Sequence, residues 1–139
     1  VLQVNFRGSG GYGQAFLESG YRQWGRQMQD DLTDATRWAL ETHGFDGERV
    51  AIYGASYGGY ASLMGAAREP DLYRCAISYV GVSDLPTMFT RGDIEDSAFG
   101  VSYLKEVLGT DDAELKANSP SQLAAQIRAR VFLIHGARD

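Results

Sequence analysis

Residues 50–60 read Val50-Ala-Ile-Tyr-Gly-Ala-Ser-Tyr-Gly-Gly-Tyr60, and the reading of this stretch decides the fold. An apolar run, Arg49 to Tyr53, has the length and composition of a buried strand. It runs into Gly54-Ala55-Ser56-Tyr57-Gly58, a Gly-x-Ser-x-Gly turn. A small-residue segment, Ser56 to Arg68, follows as a helix closed by Pro70. The logic of this order is steric. Glycines at 54 and 58 let strand and helix approach closely, and the turn lifts the Ser56 hydroxyl clear of the sheet in a strained backbone conformation. The backbone N–H of Tyr57 then points where an oxyanion would form, and the helix N-terminus adds a positive field there. An inert serine in a tight glycine turn is the competing reading. The apolar strand before the turn and the small-residue helix after it argue against that.

Outward from this turn the chain alternates strand and helix. Upstream, Val1 to Phe6 reads as a buried strand, Arg7-Gly-Ser-Gly-Gly-Tyr-Gly13 as a flexible turn, and Gln29 to His43 as a helix. Leu32, Ala35, Ala39 and Leu40 share one face of that helix, and Gly44 suits its C-terminal cap. Downstream, Cys75 to Val80 is a strand. Asp84 to Ala124 is mostly helical with breaks around Gly92, Gly100, Gly109 and Pro120, and Val131 to His135 is the last strand. The fold class is therefore α/β: a mostly parallel sheet with helices on both faces.

Composition narrows the function. The 139 residues are enough for one domain with a core, and 44% hydrophobic with 22% charged residues is ordinary for a globular chain. A net charge of −5 argues against a nucleic-acid partner. No apolar run approaches the roughly 20 residues of a membrane span. The single cysteine, Cys75, excludes an internal disulfide and leans towards a reducing, cytoplasmic compartment. Both ends fall at core strands and read as cuts, so the fold is expected to be truncated at both ends.

A second element of interest is His135-Gly-Ala-Arg-Asp139. Asp139 follows a buried strand at the edge where open parallel sheets carry their sites. Serine elbows take their partners in the chain order Ser, then Asp or Glu, then His, and Asp139 fits that order. A solvated loop aspartate is the alternative that the residues leave open. The two histidines fit no such order. His43 ends a helix upstream of Ser56, and His135 precedes Asp139 at a strand end, where packing is the expected role. The base is expected beyond residue 139.

Together these residues resemble a known family. Asn5-Phe-Arg-Gly-Ser-Gly-Gly-Tyr-Gly13, Trp24-Gly25, Asp31, Gly54-Ala-Ser-Tyr-Gly-Gly-Tyr60 and His135-Gly-Ala-Arg-Asp139 resemble the prolyl oligopeptidase family of serine peptidases. Its acylaminoacyl-peptidase and dipeptidyl-peptidase-like branches are the nearest in pattern. The resemblance implies a partial α/β-hydrolase fold, Ser56 as nucleophile, Asp139 as triad acid and the Tyr57 N–H as one oxyanion donor. It implies no cofactor and no metal, and a short peptide as substrate. It also implies that a second oxyanion donor, a β-propeller and the histidine segment lie outside these residues. A further strand between Val1–Phe6 and the strand at Arg49 would lie outside them too.

Two other readings stay open at this stage. One is an esterase or other acyl hydrolase on the same fold, which fold alone does not separate from a peptidase. The other is a non-catalytic module that keeps the fold. Tyr53, Tyr57, Tyr60, Phe89, Phe99 and Tyr103 are apolar pocket candidates, although core packing is the simpler role for most. Phe89, Arg91 and Glu95 are candidates for the cap side of a pocket, and Asp84 for a structural hydrogen bond near the site.

Overall fold

The computed structural model describes residues 1–92, 94 and 97–136. Among these residues three parallel strands form one sheet: β1 (Ala51–Ala55), β2 (Cys75–Tyr79) and β3 (Arg130–Ile134), in spatial order β1-β2-β3. The register sets Ala51 beside Cys75 and Cys75 beside Arg130, so Ala55, Tyr79 and Ile134 finish level with one another. The residues that follow them, Ser56, Val80 and His135, therefore emerge at one edge. The ladder continues past the strands. The Ser56 N–H donates to the Tyr79 carbonyl at 2.9 Å, and the Val80 N–H to the Ile134 carbonyl at 2.7 Å.

Among the described residues six α-helices accompany the strands: α1 (Gln14–Glu18), α2 (Gln27–His43), α3 (Tyr57–Arg68), α4 (Ala98–Leu108), α5 (Asp112–Ala117) and α6 (Pro120–Leu123). The central one is α3. Every residue from Gly59 to Ala67 is buried, because the sheet lies on one side and α2 and α6 lie around the rest. A helix apolar on all sides is what such a position requires. Tyr60 and Met64 anchor the core with Leu85, Leu104, Val107 and Leu115. The helix α2 ends as its sequence predicts, with Gly44 in the left-handed region at φ 63°.

The structure corrects several sequence expectations. Val1–Phe6 forms no strand, and Val1 and Leu2 are exposed. A strand needs a hydrogen-bonded neighbour, and a groove of about 960 Å³ separates this run from β1; Val4, Phe6, Leu32, Ile52 and Tyr73 are among its lining residues. It lies between the two segments where the family resemblance implied a further strand. The strand at Arg49 starts two residues later, at Ala51. Asp46 accepts the Glu48 N–H at 2.9 Å and the Arg49 Nε–H at 2.6 Å, which holds Gly47–Arg49 in a 3-10 turn. Gly100 does not break a helix. It sits in the first turn of α4, where its N–H donates to the capping Ser97 hydroxyl at 2.8 Å.

Helical cover was expected on both faces of the sheet. Among the described residues it is present on the Ile52, Gly54, Ala76 and Ser78 face, against α3. The opposite face carries Tyr53 and Phe132, which remain 64% and 60% exposed. No described helix is long and apolar enough to cross a membrane.

Candidate active site

Ser56 lies at the turn between β1 and α3, immediately before the first helical residue, Tyr57. Its backbone is at φ 55° and ψ −119°. A non-glycine residue there carries strain of order 1–3 kcal/mol, which persists only where the surroundings impose it. Two contacts impose it. The Ser56 N–H is held by the Tyr79 carbonyl, and the backbones of strand and helix touch at Gly54. A Cβ on Gly54 would come within 2.4 Å of the Gly58 carbonyl carbon and oxygen. The serine is exposed at the sheet edge. As the first residue of α3, Tyr57 has an N–H with no acceptor inside the helix, so that donor faces the same edge as the Ser56 hydroxyl.

The two elbow glycines do different work. A Cβ on Gly58 would meet nothing within 4 Å, so close packing does not require glycine there. The crowded position is its neighbour. A Cβ on Gly59 would lie 2.7 Å from the Gly81 Cα, and one on Gly81 would lie 2.7 Å from the Gly59 Cα. The first turn of α3 thus rests backbone to backbone on the segment leaving β2. Sequence reading missed this contact. Its only local signals were the Gly58-Gly59 doublet and a glycine two residues past a strand.

Behind the elbow stands an aromatic wall. The Tyr57 ring lies 5.3 Å from Phe6, 4.5 Å from Trp24 and 5.6 Å from Tyr60, centroid to centroid. Burial pushes both phenols far above their ordinary range, so Tyr57 and Tyr60 are neutral at any physiological pH. Tyr60 is fully buried and its hydroxyl donates to the Asn118 carbonyl at 2.8 Å, which makes it a core residue. Tyr53 lies on the open sheet face, and Phe99 and Tyr103 are exposed on α4. Phe89 packs on the core cluster.

The glycine-rich turn is fixed to α2 by a charged clamp. Asp31 accepts from the Arg7 backbone N–H at 3.0 Å, from Nε at 2.8 Å and from Nη2 at 2.7 Å, while Arg7 Nη1 also donates to Gln27. The hydrogen bonds from Arg7 hold the Asp31 carboxyl below its ordinary range. A carboxylate depressed on folding contributes stability above its unfolded pKa of about 3.9, and that contribution disappears as pH falls through the lower folded value. Asp31→Asn is therefore expected to cost about 1 kcal/mol near neutrality, the upper end for a solvent-facing pair. The deficit should shrink as the pH falls below that unfolded value. Urea unfolding of both forms across that range measures it, and a deficit that does not change with pH would rule the clamp out.

Asp84 makes the structural hydrogen bonds expected of it, to Thr87 and Ser121. His43 closes α2 at the surface, between the rings of Trp38 and Phe45 at 5.2 and 5.7 Å. His135 follows β3 and is exposed. Since β2 lies between β1 and β3, roughly 10 Å of sheet separates the backbones at Ser56 and His135. Asp139 and Glu95 lie outside the described residues. Among the described residues no group of three or more His, Cys, Asp or Glu side chains is placed to hold a metal ion.

A family model for the prolyl oligopeptidase family matches residues 1–139. The chain belongs to the prolyl oligopeptidase family. It is 38% identical over 143 residues to dipeptidyl aminopeptidase BIII of Pseudoxanthomonas mexicana, a match that covers all of this chain and 21% of the relative. The human acylamino-acid-releasing enzyme is 30% identical over 144 residues, again across the whole chain and 20% of the relative. Among solved structures, the acylaminoacyl peptidase of Pyrococcus horikoshii superposes with a TM-score of 0.84 at 30% identity, covering 95% of this chain and 21% of that one. The chain thus spans about a fifth of the length of the curated relatives it matches. Its strands and helices are part of an α/β-hydrolase fold.

Proposed function

We propose that these residues form the nucleophile-bearing part of a serine peptidase acting on short peptides. The observation that carries this reading is the strained Ser56 turn, exposed at the strand-end edge of the sheet within a family match that covers the whole chain. In the proposed reaction the Ser56 Oγ attacks the substrate carbonyl carbon as a histidine takes its proton. The oxyanion is met by the Tyr57 N–H at the positive end of α3. The C–N bond then breaks, the histidine returns the proton to the leaving amine, and water hydrolyses the acyl-serine. Asp139 is proposed to orient that histidine. His43 precedes Ser56 in the chain and His135 precedes Asp139, against the order Ser, Asp, His, so the base is proposed to come from outside these residues.

The neutral Tyr57 and Tyr60 rings do not compete as bases in this scheme. They give α3 a rigid apolar backing, which keeps the Tyr57 N–H aimed as charge develops. The test is covalent labelling. A serine-directed phosphonate is expected to modify the full-length protein at Ser56, located by peptide mapping. Ser56→Ala should lose both the label and turnover of a short peptide anilide. Turnover of simple esters with no turnover of the anilide would favour the esterase reading instead, and labelling at another serine would overturn both.

A further inference from the structure

The segment leaving β2 is bent and latched. Val80 sits at φ 45°, a left-handed conformation that a β-branched residue takes only when its surroundings impose it. From there the chain forms an arm, residues 80–85, along the side of the Ser56 turn. At its start the Tyr79 carbonyl accepts the Ser56 N–H, and Gly81 lies against Gly59 in the first turn of α3. At its far end the arm is tied to the α5–α6 corner by three bonds. The Leu85 N–H donates to the buried Ser119 hydroxyl at 2.9 Å. The Ser121 N–H donates to the Ser83 carbonyl at 2.9 Å, and the Ser121 hydroxyl donates to Asp84 Oδ2 at 3.0 Å. Asp84 Oδ1 accepts from the Thr87 N–H at 3.1 Å and the Thr87 hydroxyl at 2.7 Å, so one carboxylate joins the arm, the following 3-10 turn and α6.

We propose that Asp84 is a positioning residue for Ser56: its bonds to Thr87 and Ser121 keep the 80–85 arm in the bend that strains Val80. The inference rests on the reading of Ser56 as nucleophile. The transmission is short. With the latch cut, Val80 relaxes towards an ordinary backbone conformation and the peptide between Tyr79 and Val80 rotates. The carbonyl holding the Ser56 N–H turns away, and Gly81 shifts against Gly59. The Ser56 hydroxyl and the Tyr57 N–H then lose their mutual aim. Displacements on the ångström scale cost catalysis up to about 100-fold without touching the reacting atoms. The hydrogen bond from Thr87, first among several, holds the Asp84 carboxyl below its ordinary range, in keeping with a carboxylate used as an acceptor.

The experiment is a set of kinetic comparisons in the full-length enzyme with a short peptide anilide. Asp84→Ala is expected to lower kcat about 10- to 100-fold while KM stays within about twofold. Asp84→Asn keeps an acceptor for Thr87 and presents an amide to the Ser121 oxygen, so its kcat should stay within about threefold of wild type. The decisive arm uses Val80→Gly, because glycine takes a positive φ without strain. In that background Asp84→Ala should cost less than about threefold, a non-additivity that a merely structural Asp84 would not produce.

An equal Asp84→Ala loss in both backgrounds, a loss expressed in KM, or no loss at all would overturn the proposal. Should Asp84→Ala fail to fold, Ser121→Ala removes one hydroxyl and keeps the backbone bond to Ser83. Its kcat is expected to fall in the same direction, and an unchanged kcat overturns the proposal equally. Phosphonate labelling of the wild type separates the two readings. Failure to label Ser56 refutes the nucleophile assignment, and this inference with it. Labelled Ser56 with kcat indifferent to the latch refutes this inference alone.

Discussion

The 139-residue chain on its own is expected to turn over neither peptide nor ester and to resist a serine-directed phosphonate, whereas the full-length protein is expected to turn over substrate and to take the label. The reason lies in where its histidines are. His43 lies at the surface between the rings of Trp38 and Phe45, at the end of α2 and upstream of Ser56 in the chain. His135 emerges from β3 with β2 between it and the strand that carries Ser56. A serine without a general base keeps an alcohol-like pKa and is a poor nucleophile. Loss of one central member of such a triad removes about 10⁶ in kcat. What survives depends on the oxyanion site, of which these residues offer the Tyr57 N–H. The assay compares both proteins at equal concentration by anilide turnover and by mass shift after phosphonate treatment. Efficient turnover by the short chain would show that His43 or His135 serves as base, and the proposed division of the site would be wrong.

The elbow was legible in the sequence because its requirements are local. A strand, a glycine, the serine and a helix must follow one another directly, and each leaves its mark in consecutive residues from Arg49 to Arg68. The helix α2 was legible for the same reason, through Leu32, Ala39 and Gly44. What was not legible depends on partners far away in the chain. Val1–Phe6 reads as a strand because an apolar run looks the same whether or not a neighbour pairs with it. The Gly59–Gly81 contact, the strained Val80 and the three bonds to the arm arise only when β2 is laid beside the elbow. Asp31 was visible within the family pattern, but its clamp on Arg7 spans 24 residues and follows from how α2 packs. Among the described residues the face with Tyr53 and Phe132 is exposed, a feature that no local pattern in the strands marks.

Substituting alanine along the glycines of the elbow should separate those that hold the fold from one that does not. Gly54→Ala is expected to be the most damaging, because the new methyl group would sit 2.4 Å from the Gly58 carbonyl carbon and oxygen. Neither neighbour is a flexible side chain. Both are backbone at the start of α3, and moving them means moving the helix that carries the core residues Tyr60 and Met64. An overpacked core position ordinarily costs about 1–3 kcal/mol, where side chains can still adjust. Here they cannot, so the cost should exceed about 3 kcal/mol and much of the protein should be insoluble. Gly81→Ala should behave in the same way, since its methyl group would meet the Gly59 backbone at 2.6 Å and the Ser78 hydroxyl oxygen at 2.3 Å. Gly58→Ala should not. Its methyl group enters open space in the first turn of a helix, where alanine is favoured over glycine by up to about 1 kcal/mol. Soluble yield and the urea midpoint by far-UV circular dichroism measure all three. Gly54→Ala at wild-type stability would mean that strand and helix do not touch there. The strain at Ser56 would then have to be held by the Tyr79 carbonyl alone.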